Sequence, residues 1–355
     1  MADQEKKRVA APDAEDFVQR VLEKNGVPSA NASIVAKCLV DADLRGVDTH
    51  GINRIPSYME RIRQGVLDPK ASPSLTQVTP VVARVDGHNA FGFISATMAM
   101  DHAIEMAKEF GIGMVSVHNS NHFGMSASFV RQAVDANMMS LIFTNSSPAL
   151  PVWGGKERLM GASPIACGAP SGPNSPPFIL DLAFSVAARG KIYKAHRRGE
   201  AIPEGWALDA NGSHTTDPAA ALRGVMLPIG GPKGSALSIM MDVFSGVLSG
   251  SSFAGHVTGP YDPSKPAGVG HFIMALKPDL FLSLDEFKDR MDYLYKRVVT
   301  CEKMQGVDRI YYPGQIEIIT SQERAKDGIP YVQAEIDALN KEADLVGTGH
   351  IAIKE

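Results

Sequence analysis

Apolar positions fall at helical spacing near both ends of the chain and in short β-branched runs between them. Phe17, Val18, Val21 and Leu22, then Ile34, Val35, Cys38 and Leu39, recur three and four residues apart, predicting helices over 13–25 and 31–45. Gly26 and Gly46 stand where those runs stop. A third helix is expected from an N-cap at Asn53 to Gly65, with Pro56 tolerated in its first turn. Residues 80–87, 112–119 and 139–146 (PVVARVDG, IGMVSVHN, MSLIFTNS) are β-branched apolar runs closed by turn residues, and read as strands. Between them, 94–111 and 126–138 return to the helical period, so strand and helix alternate as in an open α/β sheet. The stretches 148–175 and 251–270, rich in Pro, Gly and Ser, are expected to wrap the surface or cover a site. Amphipathic helices are expected again over 285–304 and 332–347, and no internal repeat breaks the pattern.

At 355 residues the chain exceeds a usual single core, so two lobes are expected. The pattern divides it into the first part of a helical lobe (1–80), an α/β domain (81–280) and the second part of the helical lobe (281–355). Hydrophobic content of 44% with 21% charged residues is that of a globular protein, not of a disordered chain. A net charge of -4 with scattered Lys and Arg leaves no basic footprint, so nucleic acid is not an expected partner. Cys38, Cys167 and Cys301 lie too far apart for a disulfide framework or a CxxC metal site, which fits a reducing compartment. The first residues are polar, no 18-residue apolar run occurs, and the terminal AIKE is not a peroxisomal address. The reading is therefore cytoplasmic, with no membrane partner.

Candidate chemistry gathers in a few segments. In LRGVDTHGINRIPSYMERIRQG (44–65), His50 has a side chain whose ordinary pKa of about 6.5 suits proton transfer near neutral pH. Thr49 is placed to orient it, and Arg54 to grip a carboxylate with a two-pronged fork, although a capping His and a solvated Arg would look the same. In VHNSNHFGMS (117–126), His118 and His122 are four apart but have no Glu between them and follow a strand, so a metal site is not expected. A strand end running into Asn, Ser, His and Gly is instead a usual place for a ligand. LPIGGPKGSAL (227–237) joins a Gly-rich turn and Lys233 to an apolar helix, chemistry suited to phosphate and equally to a structural turn. Neither a G-x-G-x-x-G after the early strands nor a G-x-S-x-G elbow is present, which argues against a Rossmann site and an α/β-hydrolase.

Taken in order, RGVDTHGINRIPSYMERIRQG, NSNHFG, TNSSPALPVWGG, IPEGWALDANGSHTTDP and LPIGGPKGSAL resemble the blocks of the malate/L-lactate dehydrogenase family that is distinct from the Rossmann-type enzymes. That family also holds ureidoglycolate and sulfolactate dehydrogenases, a diketogulonate reductase and a piperideine-2-carboxylate reductase. The resemblance implies an α/β fold with a non-Rossmann cofactor domain on a mixed open sheet and a helical substrate-binding lobe built from both chain ends. It also implies a homodimer using NAD or NADP on a small-molecule carboxylate. By position it makes His50 the proton donor, Thr49 the hydroxyl beside it and Arg54 the carboxylate clamp, with Ala162 and Arg189 also toward substrate. His122, Phe123, Gly124, Met125, Ser126, Leu180, Asp181, Leu182, Lys233, Arg309, Pro313 and Gly314 fall where the family's cofactor lies.

Three departures stand out. Gly161-Ala162-Ser163-Pro164 replaces Gly-Thr-Asn-Pro, Phe184 takes the Thr position of Asp-x-Ala-Thr-Ser, and Gln315 replaces the Glu of Pro-Gly-Glu. They bear on substrate and cofactor choice more than on the reaction. The expected activity is hydride transfer between a nicotinamide cofactor and a small 2-oxo or 2-hydroxy acid. Two alternatives are reduction of a cyclic or N-alkyl imino acid and an inactive binding protein on the same fold.

Overall fold

The computed structural model describes residues 6–354; the reading of the first five residues and of Glu355 lies outside that range. Seven strands form one open mixed sheet. Their spatial order is Ser74–Thr79, Val82–Asp86, Ile112–Ser120, Val269–Leu276, Met139–Thr144, Ile165–Ala169, Phe178–Leu182. Only Val82–Asp86 and Ile112–Ser120 run parallel, joined by the crossover helix Gly92–Phe110, and every other neighbouring pair is antiparallel. This is not the doubly wound parallel arrangement of a Rossmann domain.

Alternate residues of the inner strands serve opposite faces, as the pleat requires. Ile142 and Ile273 pack with Ala99, Met100 and Ala103 of Gly92–Phe110 and with Val130 of the helix Ala127–Asp135. Their neighbours Phe143 and Phe272 turn the other way, onto Phe184, Ile192, Met241 and Phe244. A separate core unites the chain ends: Phe17, Leu22, Leu39 and Tyr58 pack with Ile329, Tyr331, Ile336 and Leu339. The two-stranded pairing of Lys6–Val9 with Ile329–Val332 ties it shut.

The helices Ala11–Lys24 and Ser29–Leu44 lie where the periodicity puts them, and Gly26 and Gly46 have the positive φ that lets them end those runs. Several expectations change. The third helix is Ile55–Arg63. Asn53 does not cap it, because residues 48–54 form two 3₁₀ turns, Asp48–His50 and Ile52–Arg54. Ser74–Thr79, counted above with the helical lobe, is an edge strand of the large sheet. The stretch 148–175 does not merely cover the surface: it supplies Ile165–Ala169, an inner strand paired on both sides. Likewise 251–270 leads into Val269–Leu276, at the centre of the sheet. The helix Leu284–Val299 buries none of its residues and takes no part in the core of the chain ends.

Candidate active site

A cavity of about 600 Å³ opens between the sheet and the core of the chain ends. Its wall takes Thr49 and His50 from the first 3₁₀ turn and 122–127 from the segment after the strand Ile112–Ser120. Thr144–Ser146 and Ala162–Pro164 come from the ends of two inner strands, Leu180–Asp181 from the last strand, and Tyr311–Gly314 from a late loop. Volume and lining fall in the range of small-molecule and cofactor clefts.

The turn carrying His50 is held from below. Asp43, fully buried on the helix Ser29–Leu44, accepts the Ile52 N–H at 2.9 Å and the Tyr331 hydroxyl at 2.7 Å. Burial pushes its carboxyl up to about 7 against the pull of those two donors. A Cβ on Gly51 would sit 1.7 Å from Asp43 Oδ1, so only glycine lets the turn close over that carboxylate. Arg324 adds a bond from its guanidinium to the Asp43 main-chain oxygen at 2.5 Å and an ion pair with Asp48.

On top of the turn, Thr49 Oγ1 lies 2.9 Å from His50 Nδ1, which leaves Nε2 as the nitrogen open to a ligand. The His50 ring stacks on that of His122, with centroids 5.4 Å apart and planes 18° from parallel. His122 Nδ1 takes the Gly124 N–H at 3.2 Å and lies 2.8 Å from the Tyr58 hydroxyl. A main-chain N–H only donates, so Nδ1 is an acceptor and the neutral ring carries its proton on Nε2. Gly124 has φ +78°, and a Cβ there would press on Phe93 at 2.4 Å. Burial, then the Arg54 charge, brings the His50 pKa down to about 4 and that of His122 well below the ordinary value. Both imidazoles are therefore neutral near pH 7. Arg54 donates from Nε to the Thr49 oxygen at 2.6 Å and lays its guanidinium over the Tyr261 ring at 4.7 Å.

The far end of the cavity is built from charges. Asp181 accepts the Ala127 N–H at 2.8 Å, at the start of the helix Ala127–Asp135. Its side chain reaches the cavity while protein packs around it, and desolvation pushes its carboxyl up to about 6. Arg45 (2.9 Å) and Arg131 (2.5 Å) share Asp41, and both line the wall with Glu317.

Of the residues expected from the sequence, Thr49, His50, His122, Phe123, Gly124, Met125, Ser126, Ala162, Leu180, Asp181, Pro313 and Gly314 line this one cavity. Five do not. Arg54 stands just off the wall beside the histidines whose pKa it lowers. Arg189 lines a small separate cleft with Arg158. Leu182 stands between the wall residues Asp181 and Ala183 without itself lining the cavity, and Arg309 stacks on Tyr311, itself a wall residue. Lys233 is exposed, and the turn before it is closed on itself by Lys233 N–H to Gly230 O (3.4 Å) and Ser235 N–H to Gly231 O (3.0 Å). Those amides are not free for a phosphate in this chain. The departures also find places. Phe184 is buried in the core behind the wall, with its N–H on Ala162 O at 3.0 Å. Gln315 is buried and braces its loop, donating to Tyr295 Oη at 3.0 Å and accepting the Tyr312 N–H at 3.1 Å.

Sequence reasoning missed Asp43, Tyr58, Arg45 and Arg131. Each sits within a helical run, where a polar residue reads as part of the solvated face; the acid seven positions before His50 was the one available signal. It also missed the uncharged donors of the wall. One of these wall residues, Thr258, has a hydroxyl that is buried with no hydrogen-bond partner in the protein. Among the described residues, no group of three or more His, Cys, Asp or Glu is placed to hold a metal, and no helix is long and apolar enough to cross a membrane.

Residues 9–340 match the family described as malate/L-lactate dehydrogenase. A malate dehydrogenase of Pyrococcus abyssi is 37% identical over 348 residues, 96% of this chain and 95% of that one. The ureidoglycolate dehydrogenase (NAD(+)) of Escherichia coli O157:H7 is 34% identical over 89% of this chain and 90% of its own. The solved sulfolactate dehydrogenase of Methanocaldococcus jannaschii superposes with a TM-score of 0.92 at 35% identity, covering 96% of this chain and 98% of that one. The chain belongs to the malate/L-lactate dehydrogenase family.

Proposed function

We propose that this member of the malate/L-lactate dehydrogenase family interconverts a small 2-hydroxy acid and its 2-oxo acid with NAD or NADP, through His50, Thr49, His122 and Arg54. The observation that carries the reading is the stacked, neutral His50–His122 pair with its nitrogens fixed, next to a guanidinium. The cavity suits a nicotinamide nucleotide. Ser146 and Ser163 offer uncharged polar groups for amide and ribose, and Tyr311, Tyr312 and Ile316 offer flat apolar surface for a base. When bound, the cofactor supplies or accepts the hydride.

The residues divide the remaining work. Arg54, with Nε committed to Thr49 O, has its two Nη groups left to take the substrate carboxylate side by side. His122 presents Nε2–H, a donor suited to the C2 oxygen as negative charge develops there. Neutral His50 takes the C2 hydroxyl proton at Nε2 during oxidation; in reduction it must first be protonated, and a bound carboxylate helps by offsetting the Arg54 charge that opposes it. Thr49 holds the His50 ring.

The helical parts near both chain ends form the substrate side in this reading, and the sheet with its helices forms the cofactor side. We place the protein in the cytoplasm, in keeping with three free cysteines. A homodimer is supported by the helix Leu284–Val299, which leaves Tyr293 and Leu294 exposed. Sedimentation at micromolar concentration tests the dimer. Activity is tested by a panel of 2-oxo acids and cyclic imines with NADH and NADPH in parallel. Turnover of one or more 2-oxo acids without added amine is expected; turnover only of preformed imines, or a requirement for methylamine, would assign the imine chemistry instead.

A further inference from the structure

The segment 257–269 has the composition of a loose surface loop, yet it is held from within. Arg61, on the helix Ile55–Arg63, is only 1% exposed and spends its guanidinium on main-chain oxygens of this segment: Gly259 at 3.3 Å, Lys265 at 3.2 Å, and Asp262. The Thr258 N–H bonds Ala267 O at 2.9 Å and the Asp262 N–H bonds Gly259 O at 3.1 Å, while Val257, Ala267 and Val269 form a small buried cluster beneath. A buried arginine is tolerated only when such acceptors replace its water, so the contacts fix the loop as firmly as they satisfy the charge. Thr258 and Pro260 thereby become part of the cavity wall.

Tyr261 lies between the oxygens that Arg61 holds, and its ring covers the Arg54 guanidinium at 4.7 Å. Among the described residues no hydrogen bond reaches that ring, which is 70% exposed; the anchored backbone fixes where it is rooted, and Arg54 where it rests. Arg54 is thus held at two places: Nε on Thr49 O, and one face of its plane on Tyr261. A guanidinium held so offers only its Nη edge. That edge is what a carboxylate takes bidentately, whereas a free arginine side chain would lose rotamer entropy on binding. We infer that Tyr261 is a positioning residue for substrate recognition, holding Arg54 in the plane that receives a carboxylate, with the Arg61-anchored loop as its mount. The inference rests on the reading of Arg54 as the carboxylate clamp.

The test is steady-state kinetics with saturating cofactor on the best 2-oxo acid from the panel, together with cofactor titration. Tyr261→Ala should raise KM for the acid about three- to thirtyfold, the range for losing a cation–π contact between exposed and desolvated settings, with a much smaller change in kcat and in cofactor Kd. Tyr261→Phe, which keeps the ring, should recover most of the loss. In an Arg54→Lys background, Tyr261→Ala should add little, since the two act as one unit. An active wild type whose Tyr261→Ala variant keeps its KM overturns this inference and leaves the activity standing; so does a loss that falls equally on cofactor Kd, or one that Phe does not recover. A wild type that turns over neither 2-oxo acids nor imino acids removes both.

Discussion

The two ends of the cavity are built on opposite principles. At the His50 end the polar atoms are paired within the protein so that each ring has one nitrogen committed and one left over, and no acid–base ion pair intrudes among the residues that line it. At the Asp181 end the charges pair with one another: Arg45 and Arg131 on Asp41, Asp181 on a helix start. Desolvation acts at both. It drives His50 and His122 to the neutral state and raises Asp181 toward neutrality, but only at the first end does it leave a proton donor and acceptor aimed by fixed neighbours. In the proposed function, chemistry falls to the end whose directions are set and adhesion to the end whose charges are shared.

That contrast breaks first at His50. His50→Ala should lower kcat by about 10²–10⁴-fold, the usual contribution of a positioned acid or base, with nucleotide affinity nearly unchanged. A variant keeping more than a tenth of the activity would place the proton transfer elsewhere. Arg54→Lys keeps the charge and loses the fork, and should cost roughly ten- to 150-fold in kcat/KM for the acid while sparing the corresponding ester; equal losses on both would make Arg54 a support for its loop. Tyr58→Phe removes one of the two donors on His122 Nδ1, worth about 1 kcal/mol, so kcat should fall roughly fivefold. No change would mean the Gly124 N–H alone fixes the tautomer. The smallest effect on turnover is expected at the other end. Arg131→Gln should leave kcat within about twofold at saturating cofactor and raise nucleotide KM a few-fold at most, because a part-exposed ion pair contributes little; a collapse of kcat would dissolve the distinction between the ends.

Acidity sharpens the same contrast without mutation. With the free His50 pKa lowered to about 4, kcat/KM for oxidation should be level above about pH 5 and fall below it, where the base becomes protonated. For reduction the required form is the protonated one, so kcat/KM should fall with rising pH from about 4 upward. Paired pH profiles in the two directions check this, and a shared break near 6.5 would mean that His50 is not desolvated as the structure has it.

Both ends were legible in part, Asp181 at one being marked by the family resemblance as His50 was at the other. Thr49, His50, Arg54 and His122 were marked by residue type and by the family blocks, whereas Asp43, Tyr58, Arg45 and Arg131 were hidden inside helical runs that explained them already. The helices Ala11–Lys24, Ser29–Leu44 and Gln333–Val346 were also readable, because their buried residues recur at local spacing, whereas Gln315–Asp327, which buries only Gln315, was not. Of the inner strands, Val82–Asp86, Ile112–Ser120 and Met139–Thr144 were readable as β-branched runs, whereas two were not. Val269–Leu276 gains its position from partners at 112–120 and 139–144, a pairing no local pattern announces. Ile165–Ala169 was masked by small residues and flanking prolines. There Gly168 is required because a Cβ would meet Val130 at 2.4 Å, so the glycine that reads as a turn marks a helix packed onto a strand.

The bond from Tyr331 to Asp43, spanning 288 positions, also sets a schedule. Closing a loop of that size costs on the order of 5 kcal/mol in chain entropy, and its far end does not exist until late in translation. At about 5–20 residues per second, the helix bearing Asp43 leaves the ribosome roughly 15–60 s before Tyr331 arrives to meet it. During that interval the segment that carries His50 has neither its buried anchor nor the strand that seals the chain ends. A nascent chain thus lacks the complete mount of the proposed catalytic turn until the strand Ile329–Val332 is made.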